Sequence, residues 1–84
     1  MKVKQINLDD EEQPETVLVE LTHDEAVFVA LTLGKQNGTD GEAILAGGST
    51  LGSRVYWGLC GGVFNRFYED GIDGAAEAAR GRAS

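Results

Sequence analysis

The chain has 84 residues, 42% of them hydrophobic, with a formal net charge of −7 and one Cys, one His and one Pro. A chain this short forms one small domain; a lone Cys excludes an internal disulfide, and with a lone His it makes a poor zinc donor set. The basic patch of a duplex nucleic-acid binder is missing, as is any apolar run near the ~20 residues that span a bilayer.

The N-terminus also lacks the apolar core of a signal peptide, so the expectation is a cytoplasmic protein with Cys60 reduced. Eight of the fourteen acidic residues fall in the first twenty-five positions. Their densest run, Asp9-Asp10-Glu11-Glu12, is short and reads as a solvated turn rather than a mimic of DNA. A core this small supplies little net stability, and oligomerisation is the remedy left once disulfides and metals are set aside. A homodimer or larger assembly is therefore expected.

Lys2 to Leu8 reads as a first strand anchored by Val3 and Ile6, and Asp9 to Glu15 as a polar turn holding the only proline. Thr16 to Leu21 alternates cleanly, with Val17, Val19 and Leu21 on one face, and should pair with the first strand as an antiparallel hairpin. Such a hairpin is marginal alone, so a later segment or another subunit is expected to extend it. Thr22 and Glu25 then form the capping box of a helix running to Gly34. That helix is apolar on nearly every side, which predicts burial all round and again a subunit interface.

Lys35 to Gly41 reads as a loop with an Asn-Gly turn, and Glu42 to Ala46 as a short third strand or a helical turn, with strand adopted. Gly47-Gly48-Ser49-Thr50 enters the next helix, with Ser49 or Thr50 as N-cap. It has the ingredients of an anion site at a helix N-terminus, but no P-loop lysine, and a flexible connector is the favoured reading.

Thr50 to Asp70 organises the chain, holding five of the six aromatic residues and four of the twelve glycines. Periodicity predicts one long helix closed by Gly71. Val55, Leu59 and Val63 lie on one apolar arc, continued by Tyr56, Cys60 and Phe67; Trp57, Gly61, Phe64 and Tyr68 form a second ridge. Two strands, Arg54–Leu59 and Val63–Glu69, turning at Cys60-Gly61-Gly62 are the alternative. Glycines 58 and 62 lower helix propensity and suit the close approach of another backbone. The fold class is α+β: a small antiparallel sheet, with the possible third strand, packed with two helices. Residues 1–72 make the domain, and 73–84 an Ala/Arg-rich flexible tail or frayed helix.

No nucleophile and base are spaced to work together, and His23 reads as a surface residue, so the expectation is a non-enzyme without cofactor or metal. Arginine beside aromatics and glycines suits stacking of a base and clamping of a phosphate. Arg54, Tyr56, Trp57, Phe64, Asn65 and Arg66 are therefore the candidate ligand residues, the alternative being a dimer core with the arginines paired to nearby acids.

Leu21-Thr22-x-x-Glu25-Ala26, a helix ending at Leu33-Gly34, a Gly-rich loop, Ser53-Arg54 and a helix closing at Gly71-Ile72 together resemble a family of small phage-encoded proteins, the first class of anti-Thoeris proteins. The resemblance spans roughly Thr16 to Ile72. It implies an oligomeric sponge that sequesters cyclic ADP-ribose-type or cyclic oligonucleotide signals between subunits without cleaving them. Of the candidate residues it carries over Arg54 alone. The competing expectation is a small protein that inhibits a host protein through its acidic or aromatic surface.

Overall fold

The alternating segments Lys2–Leu8 and Pro14–Glu20 close as an antiparallel hairpin, β1 and β2, in a computed structural model that describes residues 1–83. Val3 lies opposite Val19 and Ile6 opposite Val17, although positions 3 and 6 would point to opposite faces of a regular strand. A register shift between Val3 and Gln5 resolves this, so that Val3, Ile6, Val17 and Val19 share one face. Asp9 shapes the turn: its Oδ1 accepts from the backbone N–H of Glu11 (2.9 Å) and of Gln13 (3.0 Å). Both strands are exposed along their whole length, and the hairpin makes at most marginal contact with the helices.

Helix α1, His23–Gly34, starts at the expected capping box: Thr22 Oγ1 accepts from Glu25 N–H (3.1 Å), and Glu25 Oε1 accepts from Thr22 N–H (2.9 Å). Within the single chain its burial is one-sided, through Ala26, Val27 and Ala30, while Phe28 stays 71% exposed.

The expected loop and third strand are replaced by helix α2, Gly38–Ile44. The reason is a second capping box. Asn37 Oδ1 accepts from Asp40 N–H (2.9 Å) and Asp40 Oδ2 from Asn37 N–H (3.1 Å), so the Asn-Gly pair starts a helix instead of turning a hairpin. Among the described residues the sheet stays two-stranded.

A continuous rod follows, made of α3 (Gly48–Leu59), a π-helical turn (Cys60–Phe64) and α4 (Asn65–Phe67). The two-strand alternative is thus not what forms. The N-cap is Gly47, left-handed at φ 82°, rather than Ser49 or Thr50. The rod ends at Phe67, where Tyr68 turns extended, so Gly71 (φ 59°) shapes the turn into the next helix instead of capping this one. Paired glycines relax the backbone at Cys60-Gly61-Gly62, and the N–H of Asn65 reaches the carbonyl of Cys60, five residues back.

Segment 73–83, read as a tail or frayed end, belongs to helix α5, Ile72–Ala83, and its Ala75 and Ala76 are buried; Ser84 lies outside the described residues. The core is where α1, the rod and α5 meet. It consists of Ala26, Val27, Ala30, Cys60, Phe64, Ala75 and Ala76, and Phe64 is its one large, fully buried side chain. Cys60 faces inward as expected. Val55, Val63 and Phe67, expected on the same arc, are exposed instead. The extra residue of the π turn rotates everything after it, which brings Phe64 inward and turns Phe67 out. Among the described residues no helix is long and apolar enough to cross a membrane.

Candidate functional site

A cleft of about 330 Å³ lies between the end of α1, the start of α2 and the first three turns of α3. Its walls are glycine backbone at positions 34, 38, 41, 48 and 52, and its polar groups come from Gln36, Asn37, Ser49 and Ser53. Tyr56 and Trp57 complete it as an edge-to-face pair, ring centroids 5.2 Å apart and planes at 83°. Gly34 gives Tyr56 its place: a Cβ there would stand 3.0 Å from the tyrosine ring. Hydrogen bonding with the Cys60 thiol, chiefly, raises the Tyr56 phenol above its ordinary value and keeps it neutral. No other ionisable side chain lines the cleft. The side chains of Gln36, Ser49 and Ser53 have no hydrogen-bond partner among the described residues, whereas Asn37 is engaged as the cap of α2.

The α2–α3 wall is held by direct backbone contact. A Cβ at Gly41 would lie 2.8 Å from Ser49 N, and one at Gly48 would collide with the Gly41 carbonyl. Glu42 fixes the joint, accepting from Gly47 N–H (3.1 Å) and Ser49 N–H (2.8 Å). This stretch, read as a flexible connector, is instead pinned, and the anion position at its helix N-terminus is filled by the chain's own carboxylate. The N–H groups of Ser49 and then Gly47 hold Glu42 below its ordinary value.

A lowered folded value means that the contribution is whole above the unfolded value, ordinarily 4.5, and is lost as pH falls through the folded one. Asp24 behaves alike, held well below the usual carboxylate range first by Arg82 and then by His23. The melting temperature should therefore be flat above about pH 6 and fall below about pH 5. Glu42→Gln should melt lower than the parent at neutral pH, and the gap should close as acid protonates Glu42. Parallel melting curves from neutral to acid pH would show that Glu42 does not hold the joint.

The six candidate ligand residues do not converge. Tyr56 and Trp57 line the cleft. Arg54 follows Ser53 on the same rod but is exposed and outside the lining. Phe64 is fully buried against the His23 ring (6.0 Å, edge-on), out of a ligand's reach. Asn65 and Arg66 lie roughly 13 Å further along the rod from Trp57, with the Arg66 guanidinium 5.8 Å from the Phe67 ring centroid.

Sequence reasoning missed a second cluster. Tyr68 Oη is 2.7 Å from His23 Nε2, and His23 Nδ1 is 2.7 Å from both Asp24 Oδ1 and Arg82 Nη2. Arg82 also grips Asp24 through Nε (3.1 Å) and Nη2 (2.5 Å). Because Arg82 can only donate and Asp24 only accept, Nδ1 serves one of them at a time, and Tyr68 hydroxyl donates or accepts accordingly. The hydroxyl–imidazole–carboxylate order is that of a nucleophile relay, but Arg82 neutralises the carboxylate and competes with it for Nδ1. The arrangement works as a latch between the end of α5 and the start of α1. No local pattern could have revealed it, since Tyr68 and His23 are 45 residues apart and Arg82 and Asp24 are 58 apart.

No protein-family model, curated protein or solved structure matches the chain.

Proposed function

We propose that the protein is a non-catalytic, homo-oligomeric binding protein that sequesters a nucleotide-like ligand, the role of a signal sponge acting in a host cytoplasm. The observation that carries this reading is the cleft. An aromatic pair stands at one end, bare glycine backbone forms the walls, and three unengaged polar side chains point to selective hydrogen bonding. A nucleobase or nucleoside matches that chemistry better than a free phosphate, because Glu42 already fills the helix N-terminus. Lys35 and Arg54 are exposed and each follows a lining residue, Gly34 and Ser53, which makes them the cations proposed for the ligand's anionic part.

Trp57 is the only tryptophan, so its emission reports on the cleft alone. Titration with adenosine, AMP, ADP-ribose, cyclic ADP-ribose and cyclic dinucleotides should shift or quench it for at least one ligand. By calorimetry, Trp57→Ala should weaken that ligand about 5- to 150-fold, the range for loss of one stacking partner. Arg54→Ala should weaken the charged members and spare adenosine. A panel that leaves both emission and native mass unchanged would defeat the ligand reading.

The alternative, inhibition of a host protein through an aromatic surface, is favoured by the 64% exposure of Trp57 and the 73% exposure of Phe67. It predicts a specific host partner that Trp57→Ala releases and an empty cleft.

A further inference from the structure

We propose that two copies of this chain associate through the apolar face of the β1–β2 hairpin, with Val3, Ile6, Val17 and Val19 packed against the same face of the second copy. The inference rests on the self-association in the reading above and not on its ligand.

The first argument is that the hairpin has no support of its own. Two seven-residue strands carry an apolar face that nothing among the described residues covers, with Val3 55% and Val17 54% exposed. A lone hairpin is marginal in water and needs more strands or a packed face to hold its shape. The helices do not provide that face, since they barely touch it.

The second argument is area. A folded monomer of 8.9 kDa exposes about 4,800 Å² by the usual scaling of surface with mass. This chain exposes 6308 Å². The excess, about 1,500 Å², exceeds the roughly 800 Å² per partner of a standard stable interface. The radius of gyration, 14.6 Å, likewise exceeds the ~12 Å of a compact chain of this length.

The third argument selects the partner and the geometry. The charges of the hairpin are matched within it, Lys4 Nζ lying 3.0 Å from Glu20 Oε2, so the apolar face is what remains to be covered. A twofold axis running along the strands lays β1 of one copy over β2 of the other, so Val3 and Ile6 meet Val19 and Val17 of the second copy and the face is complementary to itself. Edge-to-edge pairing is disfavoured, because Pro14 opens β2 without an N–H and the irregularity beside Lys4 interrupts β1. That leaves the faces.

Sedimentation velocity over a wide concentration range tests the proposal on the full chain. The parent should be a dimer, and Val17→Lys or Ile6→Glu should each raise the dissociation constant about tenfold or more. Helical circular dichroism should be unchanged, since neither residue packs on the helices. In the parent, hydrogen exchange at Val3–Ile6 and Val17–Val19 should slow as concentration rises. A parent that stays monomeric throughout overturns this inference and the self-association together. A dimer that ignores both variants, with hairpin exchange independent of concentration, overturns the surface and leaves self-association standing. If both variants lose their fold, the exchange measurement on the parent decides alone.

Discussion

Phe64→Ala should be the most destabilising single substitution in the chain, costing about 3–5 kcal/mol. Every other core residue, Ala26, Val27, Ala30, Cys60, Ala75 and Ala76, is small, so the Phe64 ring is what fills the space where α1, the rod and α5 meet. Removing a buried phenylalanine costs about 3–5 kcal/mol in lost transfer energy and residual cavity. A domain of this size has roughly 4–13 kcal/mol in all. For a chain this small each kcal/mol moves the melting point about 4–8 °C, so a fall of at least about 12 °C is expected. Urea unfolding followed by circular dichroism measures it. A loss below about 1 kcal/mol would mean that the ring is not the core's centre. The His23 ring, edge-on to Phe64, would lose that neighbour too, and with it one support of the Tyr68 latch.

Gly48→Ala should be nearly as damaging for a different reason. The new methyl group would collide with the carbonyl of Gly41, and backbone cannot swing aside as a flexible side chain can. Either α2 lifts off α3 or the start of the rod unwinds, and both outcomes release Ser49 N–H from Glu42. Overpacking typically costs about 1–3 kcal/mol, and a backbone clash belongs at the upper end or beyond. The contrast is Gly61→Ala, where a Cβ would meet nothing within 4 Å. There the gain in helix propensity, up to about 1 kcal/mol, should appear as a higher melting point, provided that the π turn accepts the methyl. Two glycine-to-alanine changes thirteen positions apart in one rod are thus expected to act in opposite directions. Equal effects on the melting temperature would show that the α2–α3 contact is not tight. Gly48→Ala should also deform the cleft, since Gly41, Gly48 and Ser49 all line it.

The legible parts of this fold were those written in contiguous residues. The β1–β2 alternation and the Thr22–Glu25 capping box are local patterns, and both form as the sequence indicates. Helix α2 carries an equally local signal in Asn37 and Asp40, but Asn37-Gly38 also spells a turn, and the turn reading prevailed. The burial of the rod was not legible, because periodicity assumes a constant ~100° per residue and the π turn breaks that assumption midway. So Val63 and Phe67 are expected inside and Phe64 at a ligand, whereas Phe64 is the core and Phe67 is exposed. Of the candidate site, Tyr56 and Trp57 could be found from their place on an aromatic helix. Their glycine walls could not, because Gly41 and Gly48 read as connector residues until two backbones are seen to touch. Glu42 was hidden for a related reason, as it caps a helix start five and seven residues downstream, outside any capping motif.

The π-helical turn also bears on how this chain can change in length. One residue more than a regular helix needs sits between Leu59 and Asn65, so the two halves of the rod are aimed independently. The first half takes its bearing from α1 and α2, the second from α5 and His23. Deleting Gly61 or Gly62 would leave a perfectly regular helix and yet rotate its last turn by about 100°. Phe64 would swing out of the centre, and the Asn65 side chain would leave the turn at Gly71 that it now abuts. Along this stretch the number of residues is constrained as tightly as their identity, and an indel that looks conservative on paper would act as a core mutation.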